Sequence, residues 1–287
     1  MQEKRRAWTE RVPVERLELS PRDVEILKSV HMYRFLTSTQ LTKMFFKSKS
    51  FADRRLRKLY DHGFLDRIQQ PVTEGKGELL YSLWTEGARV LSRKLKKSRE
   101  ELGWSKSKNR VRWEFLEHEL EIGRFKLALE EACKNRSGYS LIEWRNKEEL
   151  KFRKGNVAFG EKIRHHGRKI SLIPDAYFVL NTPKGKAHFF LEVDRYTVSA
   201  SKVFKEKIKG YKMYFERGLF QERFGAKNFR VLTVTTNSTR LKSLIKAVSD
   251  VGLGIIFWFT ISKMISPERI FNEIWVRTDK PKGIIKI

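Results

Sequence analysis

The strongest constraint on the fold is a change in hydrophobic period at Gly63. Before this glycine, apolar residues recur every three or four positions in three short segments, as they do on the buried side of amphipathic helices. After it, two apolar runs, Phe64–Ile68 and Leu79–Leu83, flank a polar stretch that contains glycine, which is the pattern of a β-hairpin with a long tip. The N-terminal third of the chain is therefore predicted to form three helices followed by a hairpin.

Start signals delimit the three helices. Ser20 is a suitable N-cap, Pro21 suits the first helical position, and Asp23 stands in the positively polarised first turn. A second start follows at Thr37–Gln40, and a third helix begins at Ser50. This is the element order of a winged helix-turn-helix, in which the third helix enters the DNA major groove and the hairpin contacts the flanking backbone.

The third helix is strongly basic. Its spacing predicts that Phe51, Leu56 and Leu59 face inward and that the charged side chains face outward. The residues expected to contact DNA are Arg54, Arg55, Arg57 and Lys58, together with Lys76 at the tip of the hairpin. The alternative for the same pattern is a small helical domain with a solvated basic face.

The overall charge also indicates a polyanionic partner. The chain carries 61 Lys and Arg against 34 Asp and Glu, a formal net charge of +27. Such an excess favours nucleic acid, because contacts with phosphates release condensed counterions. Double-stranded DNA is the expected partner, and RNA and an acidic membrane surface are the competing polyanions.

Two further features restrict the class of protein. The single cysteine, Cys133, excludes an intramolecular disulfide and a zinc site built on several thiolates. The most apolar stretch, Val251–Ile261, is shorter than the roughly 20 residues that cross a bilayer. A cytoplasmic protein with no membrane span is therefore expected.

The second half of the chain alternates between helical and strand patterns, which predicts an α/β domain. The charged, serine-rich stretch Lys96–Arg110 is typical of a linker. The predicted organisation is a DNA-binding domain at 1–100, a linker at 101–110 and the α/β domain at 111–287. Within it, the pattern predicts helices at Val111–Cys133, Ser201–Phe215 and Thr239–Ser249, and strands at Tyr139–Trp144, Ala176–Leu180, Ala187–Val193, Phe229–Thr235 and Gly254–Phe259.

Three carboxylates are expected to meet on the predicted hairpin of this domain. Asp175 opens its first strand, and Glu192 and Asp194 close its second. Side chains two apart on a strand share a face, so Glu192 and Asp194 point the same way and Asp175 can meet them across the hairpin. Oxygen-only clusters suit Mg²⁺ or Mn²⁺. The alternative is ordinary carboxylates at strand ends that pair with neighbouring arginine or lysine residues.

At these residues the chain resembles the PD-(D/E)XK nuclease superfamily. Pro174-Asp175 matches the first half of the motif, and Glu192-Val193-Asp194 matches the second half except that Asp replaces Lys. The resemblance implies a restriction-endonuclease-like α/β domain with a mixed sheet. The departure removes the cation that the motif normally supplies, so that hydrolytic activity would require a lysine from elsewhere.

The order of a winged helix, these acidic motifs and the helix with Lys-Ile-Lys-Gly-Tyr resembles the replication-relaxation family of plasmid proteins. That family includes relaxases related to restriction endonucleases, the MOBC type of mobile elements. The resemblance implies that Asp175, Glu192 and Asp194 hold the metal and act in catalysis, and that Lys207 or Tyr211 lies near the site. Glu119 or Glu143 is a further acidic candidate.

These patterns favour a sequence-specific DNA-binding protein that nicks DNA with a divalent metal at a plasmid or mobile-element origin, with other replication or mobilisation proteins as further partners. The alternative is a non-catalytic regulator on a degenerate nuclease fold. The adjacent His165-His166 lacks the intervening residue of the His-hydrophobe-His metal motif of other relaxases. No catalytic tyrosine is singled out, since Tyr177, Tyr196 and Tyr211 are all near the motifs.

Overall fold

The computed structural model of the protein describes residues 10–12, 16–72, 77–109, 111–150, 162–165, 168–195, 200–251, 254–285 and 287. The chain divides into two compact units, an N-terminal unit (Met1–Gly123) and a C-terminal unit (Arg124–Ile287). The division falls inside a long helix, whereas the sequence places a linker at 101–110.

The N-terminal unit contains the three helices and the hairpin that the sequence predicts. Its elements are α1 (Pro21–Tyr33), β1 (Leu36–Thr37), α2 (Ser38–Phe45), α3 (Lys49–Asp61), β2 (Leu65–Gln69), β3 (Leu79–Leu83), α4 (Thr85–Leu95) and the first part of α5 (Trp113–Asn135). Capping boxes at Ser20 and Thr37 begin α1 and α2, because each side chain accepts the backbone N–H three residues on.

A small antiparallel sheet completes this unit. Its strand order is β1-β3-β2. The two-residue strand β1, which the sequence pattern does not predict, pairs with the second hairpin strand, β3. Gly63 has a φ of +74° directly after α3, a left-handed backbone that glycine adopts without strain. Leu116 and Leu120 of α5 pack on Phe35 and Leu80 and form a buried cluster.

The C-terminal unit is built on a mixed seven-stranded sheet of order β12-β11-β10-β9-β8-β7-β4. The strands of this unit are β4 (Ser140–Asn146), β5 (Lys162–His165), β6 (Arg168–Ser171), β7 (Ala176–Thr182), β8 (Gly185–Asp194), β9 (Arg230–Thr235), β10 (Phe257–Ile261), β11 (Trp275–Arg277) and β12 (Lys280–Ile285). Its other helices are α6 (Lys147–Leu150), α7 (Ala200–Glu216), α8 (Leu219–Phe224) and α9 (Ser238–Ser249).

The central strands of this sheet are partly antiparallel and partly parallel. β7 and β8 form the predicted antiparallel hairpin, whereas β8, β9 and β10 run parallel. Parallel neighbours need a crossover, and α7 and α9 provide the two connections. The predicted α/β fold class, with helices and a hairpin before a mixed-sheet unit, is confirmed.

Both faces of the sheet are covered. On one face, Phe190, Val231 and Phe257 pack against Ile208 and Tyr211 of α7. On the other, Phe125 of α5 lies 5.9 Å from Phe178, which stacks on Trp144 at 5.4 Å between ring centroids. The strands therefore have apolar residues on both sides, and polar side chains collect at the strand ends.

Several elements of the C-terminal unit are not predicted by the sequence pattern. The short strands β5, β6, β11 and β12 and the helix α8 have too few residues, or too polar a composition, to produce a clear hydrophobic period. Within the described residues, no helix is both long enough and apolar enough to cross a membrane.

Candidate functional site

Asp175 is held at the start of the central hairpin by backbone contacts on both sides. It directly precedes β7, its N–H donates to the Leu191 carbonyl at 3.1 Å, and its Oδ2 accepts the N–H of Val193 at 2.9 Å. Only 3% of its surface is exposed. Lys147 of α6 brings a cationic Nζ to 3.8 Å from Oδ1. The carboxylate is thus fixed in place through Oδ2, and its second oxygen lies beside the cationic side chain of Lys147.

Glu192 lies on the neighbouring strand and is paired with two side chains of α7. Lys207 Nζ donates to Oε2, and the hydroxyl of Tyr211 donates to Oε1 at 2.6 Å. Lys207 and Tyr211 are four residues apart and so lie on one side of the helix. The side chain of Glu192 is 3% exposed and that of Lys207 is 21% exposed, so Lys207 is the more exposed side chain of the pair.

The charges of this cluster shift one another's protonation. Burial raises the pKa of Glu192, and the nearby Asp175 raises it further against the opposing effect of Lys207. Burial alone would lower the pKa of Lys207, but the carboxylates of Asp175 and Glu192 outweigh it and raise that pKa above its ordinary value. Lys207 therefore remains an ammonium at neutral pH and acts as a fixed positive charge.

Asp194 belongs to a different pair. Arg240 of α9 holds it with two hydrogen bonds, Nε to Oδ2 at 2.7 Å and Nη2 to Oδ1 at 2.9 Å, and Thr235 Oγ1 donates to Oδ2 at 3.1 Å. Both side chains of the ion pair are nearly buried, at 5% and 6% exposure. The planar guanidinium matches both carboxylate oxygens, so they are occupied by protein donors.

Asp194 therefore has a partner of its own, although its charge, like those of Asp175 and Glu192, acts on Lys207; the metal site expected at the three carboxylates stays a prediction. In the part of the chain that the structure describes, no three His, Cys, Asp or Glu side chains form a group that could hold a metal ion. Arg240, the partner of Asp194, lies 46 residues further along the chain and leaves no signal in the local sequence pattern. The structure instead brings Asp175, Glu192 and Lys207 together.

The two further acidic candidates, Glu119 and Glu143, form ion pairs with other residues. Glu119 forms an ion pair with Arg34 at 2.9 Å in the N-terminal unit. Glu143 of β4 pairs with Arg145 on its own strand. Neither carboxylate is part of the cluster around Glu192.

The tyrosines near the motifs are packed and protonated. Burial, followed by the charge of Glu192, raises the pKa of Tyr211 well above its ordinary value. Burial also raises the pKa of Tyr177, whose hydroxyl hydrogen-bonds His188 Nδ1 at 2.7 Å. Tyr196 lies outside the described residues. The described tyrosines therefore have the features of core residues.

The basic residues of α3 fall into two groups. Arg55 points into the fold, where its guanidinium pairs with the buried Asp23 and donates to the Glu18 carbonyl at 2.9 Å. Arg57 pairs with Asp61 at 2.8 Å between Nε and Oδ2. Each of these two arginines has a carboxylate partner within the unit, which the outward orientation expected for them did not include; their contact with DNA stays a prediction.

Arg54 and Lys58 form the second group, and both are exposed on α3. They lie four residues apart, on one face of the helix. Lys76 lies outside the described residues. The expected position of Phe51 is wrong, since its ring is 63% exposed instead of buried. Phe51 lies three residues before Arg54 and therefore on the same exposed face of the helix. The hydrophobic spacing alone did not show whether Phe51 belongs to this face or to the buried one.

Comparison with known proteins places the chain in a family. The model of the replication-relaxation family matches residues 27–229, which is more than half of the chain. Among solved structures, the restriction endonuclease FokI is similar at a TM-score of 0.31 and 9% identity, over 85% of this chain and 42% of that chain. No curated protein matches the chain significantly. The matched residues include Asp175, Glu192 and Lys207, and the chain belongs to the replication-relaxation family.

Proposed function

We propose that this protein binds double-stranded DNA at a plasmid or mobile-element origin and nicks it with Mg²⁺ or Mn²⁺ at Asp175, Glu192 and Lys207. The observation that carries the proposal is the ion pair of Lys207 with Glu192, beside Asp175 on the adjoining strand. Two carboxylates and one ammonium are the charge set of the nuclease motif that the sequence resembles. Membership of the replication-relaxation family supports an origin of replication or mobilisation as the target.

Lys207 supplies the cation that the motif itself lacks. Asp194 stands at the position where the related motif has lysine, and Arg240 neutralises it. Lys207 comes from α7 instead and reaches the same pair of strands from the crossover helix. The charge of the motif is thus restored by a residue 15 positions away from Glu192.

The two carboxylates fit a hard divalent cation. Mg²⁺ is commonly held by one or two protein carboxylates, with water and substrate phosphate as the other ligands. Asp175 Oδ1 and Glu192 are the oxygen donors that would hold it, and Asp194 is excluded by its arginine pair. When bound, such a metal polarises the phosphate and promotes ionisation of a water nucleophile.

The protein residues provide positioning and charge balance. Lys207 holds a proton and places a positive charge beside the phosphate, which lowers the cost of negative charge that builds up there. Tyr211 fixes the orientation of Glu192 through its 2.6 Å hydrogen bond. The net charge of +27, together with the exposed Arg54 and Lys58, supports recruitment of the duplex through its phosphates.

The test is nicking of supercoiled plasmid that carries the cognate origin. Parent protein is expected to convert it to open circles with Mg²⁺ or Mn²⁺ and not with EDTA. Asp175→Asn, Glu192→Gln and Lys207→Met should each lower the rate at least about a hundredfold, the scale of one electrostatic or acid-base group. Lys209→Met is the matched control, because it removes an exposed lysine from the same helix.

Duplex binding in the same samples separates recognition from chemistry. The three variants should still bind the origin, with affinity that falls by orders of magnitude between about 50 and 200 mM salt. Equal nicking by Lys207→Met and Lys209→Met would contradict the assignment of Lys207. Salt-independent binding would contradict the role of phosphate contacts.

A non-catalytic regulator of replication or mobilisation is the second candidate. The observation in its favour is that both oxygens of Glu192 already have protein donors and that Asp194 is held by Arg240. A regulator would bind the origin with unchanged affinity in Asp175→Asn and Glu192→Gln, and the parent protein would nick at no divalent cation concentration.

A further inference from the structure

We infer that Phe51 is a specificity-determining residue that packs on the methyl group of a thymine in the DNA major groove. The inference rests on the proposed binding of duplex DNA through α3 and names one base contact within it. Phe51 stands in the first turn of α3, and the N-terminal residues of a recognition helix are the ones that reach base edges.

The first observation is where the ring lies. Phe51 is 63% exposed, although the same helix buries Ala52, Leu56 and Leu59 completely. This position therefore forgoes the stabilisation that a buried phenylalanine would contribute. A single exposed aromatic is ordinary on a protein surface, so the assignment depends on what surrounds it.

The second observation is the charge around the ring. The guanidinium of Arg54 lies 4.8 Å from the ring centroid of Phe51, and Arg54 is itself exposed. Lys58 is exposed one turn further along, and Lys47 is exposed just before the helix. An apolar ring among cations complements a polyanion that also carries apolar groups. Duplex DNA has this combination in the thymine methyl groups of its major groove.

The third observation is that the other two arginines of α3 form ion pairs within the unit. Arg55 and Arg57 are paired with Asp23 and Asp61 inside the unit. Phe51, Arg54 and Lys58 are exposed on α3 at helical spacings of three and four, and the exposed Lys49 is paired with Asp53. Arginine reads guanine through two hydrogen bonds, and an apolar side chain reads the thymine methyl. Because the two side chains are in contact, Phe51 and Arg54 would read neighbouring bases.

The test replaces thymine by uracil, which removes only the methyl group. The preferred duplex is first selected from a random library with the parent protein. Single thymine-to-uracil duplexes are then titrated with parent, Phe51→Ala and Phe51→Leu. One substitution should weaken parent binding about fourfold, the effect of one methyl group left in water. Phe51→Ala should weaken binding to the thymine duplex and lose all sensitivity to uracil, and Phe51→Leu should keep part of it.

Phe115→Ala is the matched control, since Phe115 is 61% exposed on a different helix of the same unit. It should bind both duplexes as the parent does. Uracil sensitivity that persists in Phe51→Ala, or its absence from the parent at every thymine, would overturn the inference while duplex binding stands. A change of oligomeric state in Phe51→Ala with unchanged base discrimination would also overturn it, in favour of a second copy as partner. Failure to select any duplex would instead remove the proposed function itself.

Discussion

The basic face of α3 and the acidic end of the β7–β8 hairpin both begin as runs of like charge, and the fold treats both in the same way. In each region one member is withdrawn into a two-bond ion pair between an arginine and an aspartate. Arg55 of α3 pairs with Asp23 of α1, and Asp194 of the hairpin pairs with Arg240 of α9. Among the described residues, Arg54 on α3 and Glu192 on the hairpin form no such two-bond pair between an arginine and a carboxylate.

The two regions differ in what the remaining charges can do. On α3, Arg54 and Lys58 are exposed cations. On the hairpin, Glu192 is buried and is balanced by Lys207, a point charge on a flexible stem. Planar arginine pairs hold a carboxylate in one geometry, whereas a lysine can exchange its partner for a phosphate or a metal-bound ligand. The difference separates residues that maintain the fold from residues that are available for function.

The largest effect is expected at Arg240. Arg240→Met leaves Asp194 buried with only Thr235 as a side-chain donor, and loss of one partner of a buried pair typically costs about 3–5 kcal/mol. Urea denaturation should show a loss of this size in the free energy of unfolding. Lys242→Met is the control, because it removes an exposed cation from the same helix and should change stability by less than about 0.5 kcal/mol.

The double variant Asp194→Leu with Arg240→Met should recover part of this loss, because no unpaired charge is left behind. Equal losses in Arg240→Met and Lys242→Met would contradict a structural role for the Asp194 pair. They would also return Asp194 to the set of available carboxylates.

Lys126 is a buried cation whose carboxylate partner, Glu130, lies farther away than the partners in the Asp194–Arg240 pair. It is 3% exposed, its Nζ lies 3.8 Å from Glu130 and 5.3 Å from the Trp144 ring centroid, and burial lowers its pKa to about 8. The folded protein gives up this proton more readily than the unfolded chain, whose lysine has an ordinary pKa of about 10.4. Stability should therefore rise as the pH increases from about 8 to about 10.

Lys126→Met should remove that pH dependence and stabilise the protein by roughly 2–3 kcal/mol below pH 8, after allowance for the lost contact with Trp144. Thermal unfolding across pH 6 to about 10 in parent and variant provides the measurement. A variant that is less stable than the parent at neutral pH would show that Glu130 compensates Lys126 fully.

Arg55 is expected to have the next largest effect. Arg55→Ala leaves the buried Asp23 without its guanidinium and should cost about 2 kcal/mol, within the range for hydrogen bonds to charged groups. Arg54→Ala should leave stability within about 0.5 kcal/mol and weaken DNA binding. Urea denaturation and duplex titration of both variants check the contrast, and the reverse assignment of losses would contradict it.

The pH dependence of the same pair provides an independent check. Burial alone would raise the pKa of Asp23, but hydrogen bonds from Arg55 and Ser20 hold it below its ordinary value. Its contribution to stability is therefore full above about pH 4 and is lost as the pH falls below that. In Arg55→Ala burial is no longer opposed by the guanidinium, so Asp23 takes up a proton at higher pH than in the parent, and the difference in stability between the two should be largest at neutral pH and shrink as the pH falls.

The sequence predicted the elements whose signals are local. The caps at Ser20 and Thr37, the glycine after α3 and the β7–β8 hairpin depend on neighbouring residues, so they were found within a few positions. The strands β1, β11 and β12 depend on pairing with other strands and have two to six residues each. Their hydrophobic period is too short to detect.

The site was predictable to a lesser degree. Asp175, Glu192 and Lys207 were identified from the motif resemblance, and the structure brings them together. The partners Arg240 and Asp23 were not, because an ion pair between distant elements leaves no trace in local spacing. The same limitation made Arg55 and Arg57 look identical to Arg54.

The smallest effects test whether ion pairs on α3 follow their burial. Arg57→Ala breaks a pair with side-chain exposures of 33% and 8%, and Lys49→Ala breaks a pair with Asp53 at 72% and 46%. Solvent screens the second pair almost completely, so we expect about 1 kcal/mol for Arg57 and less than about 0.5 kcal/mol for Lys49. Urea denaturation of both variants beside Arg55→Ala should give the order Arg55, Arg57, Lys49. A loss for Lys49 equal to that for Arg55 would mean that burial does not decide which α3 cations maintain the fold, since the two pairs differ most in exposure.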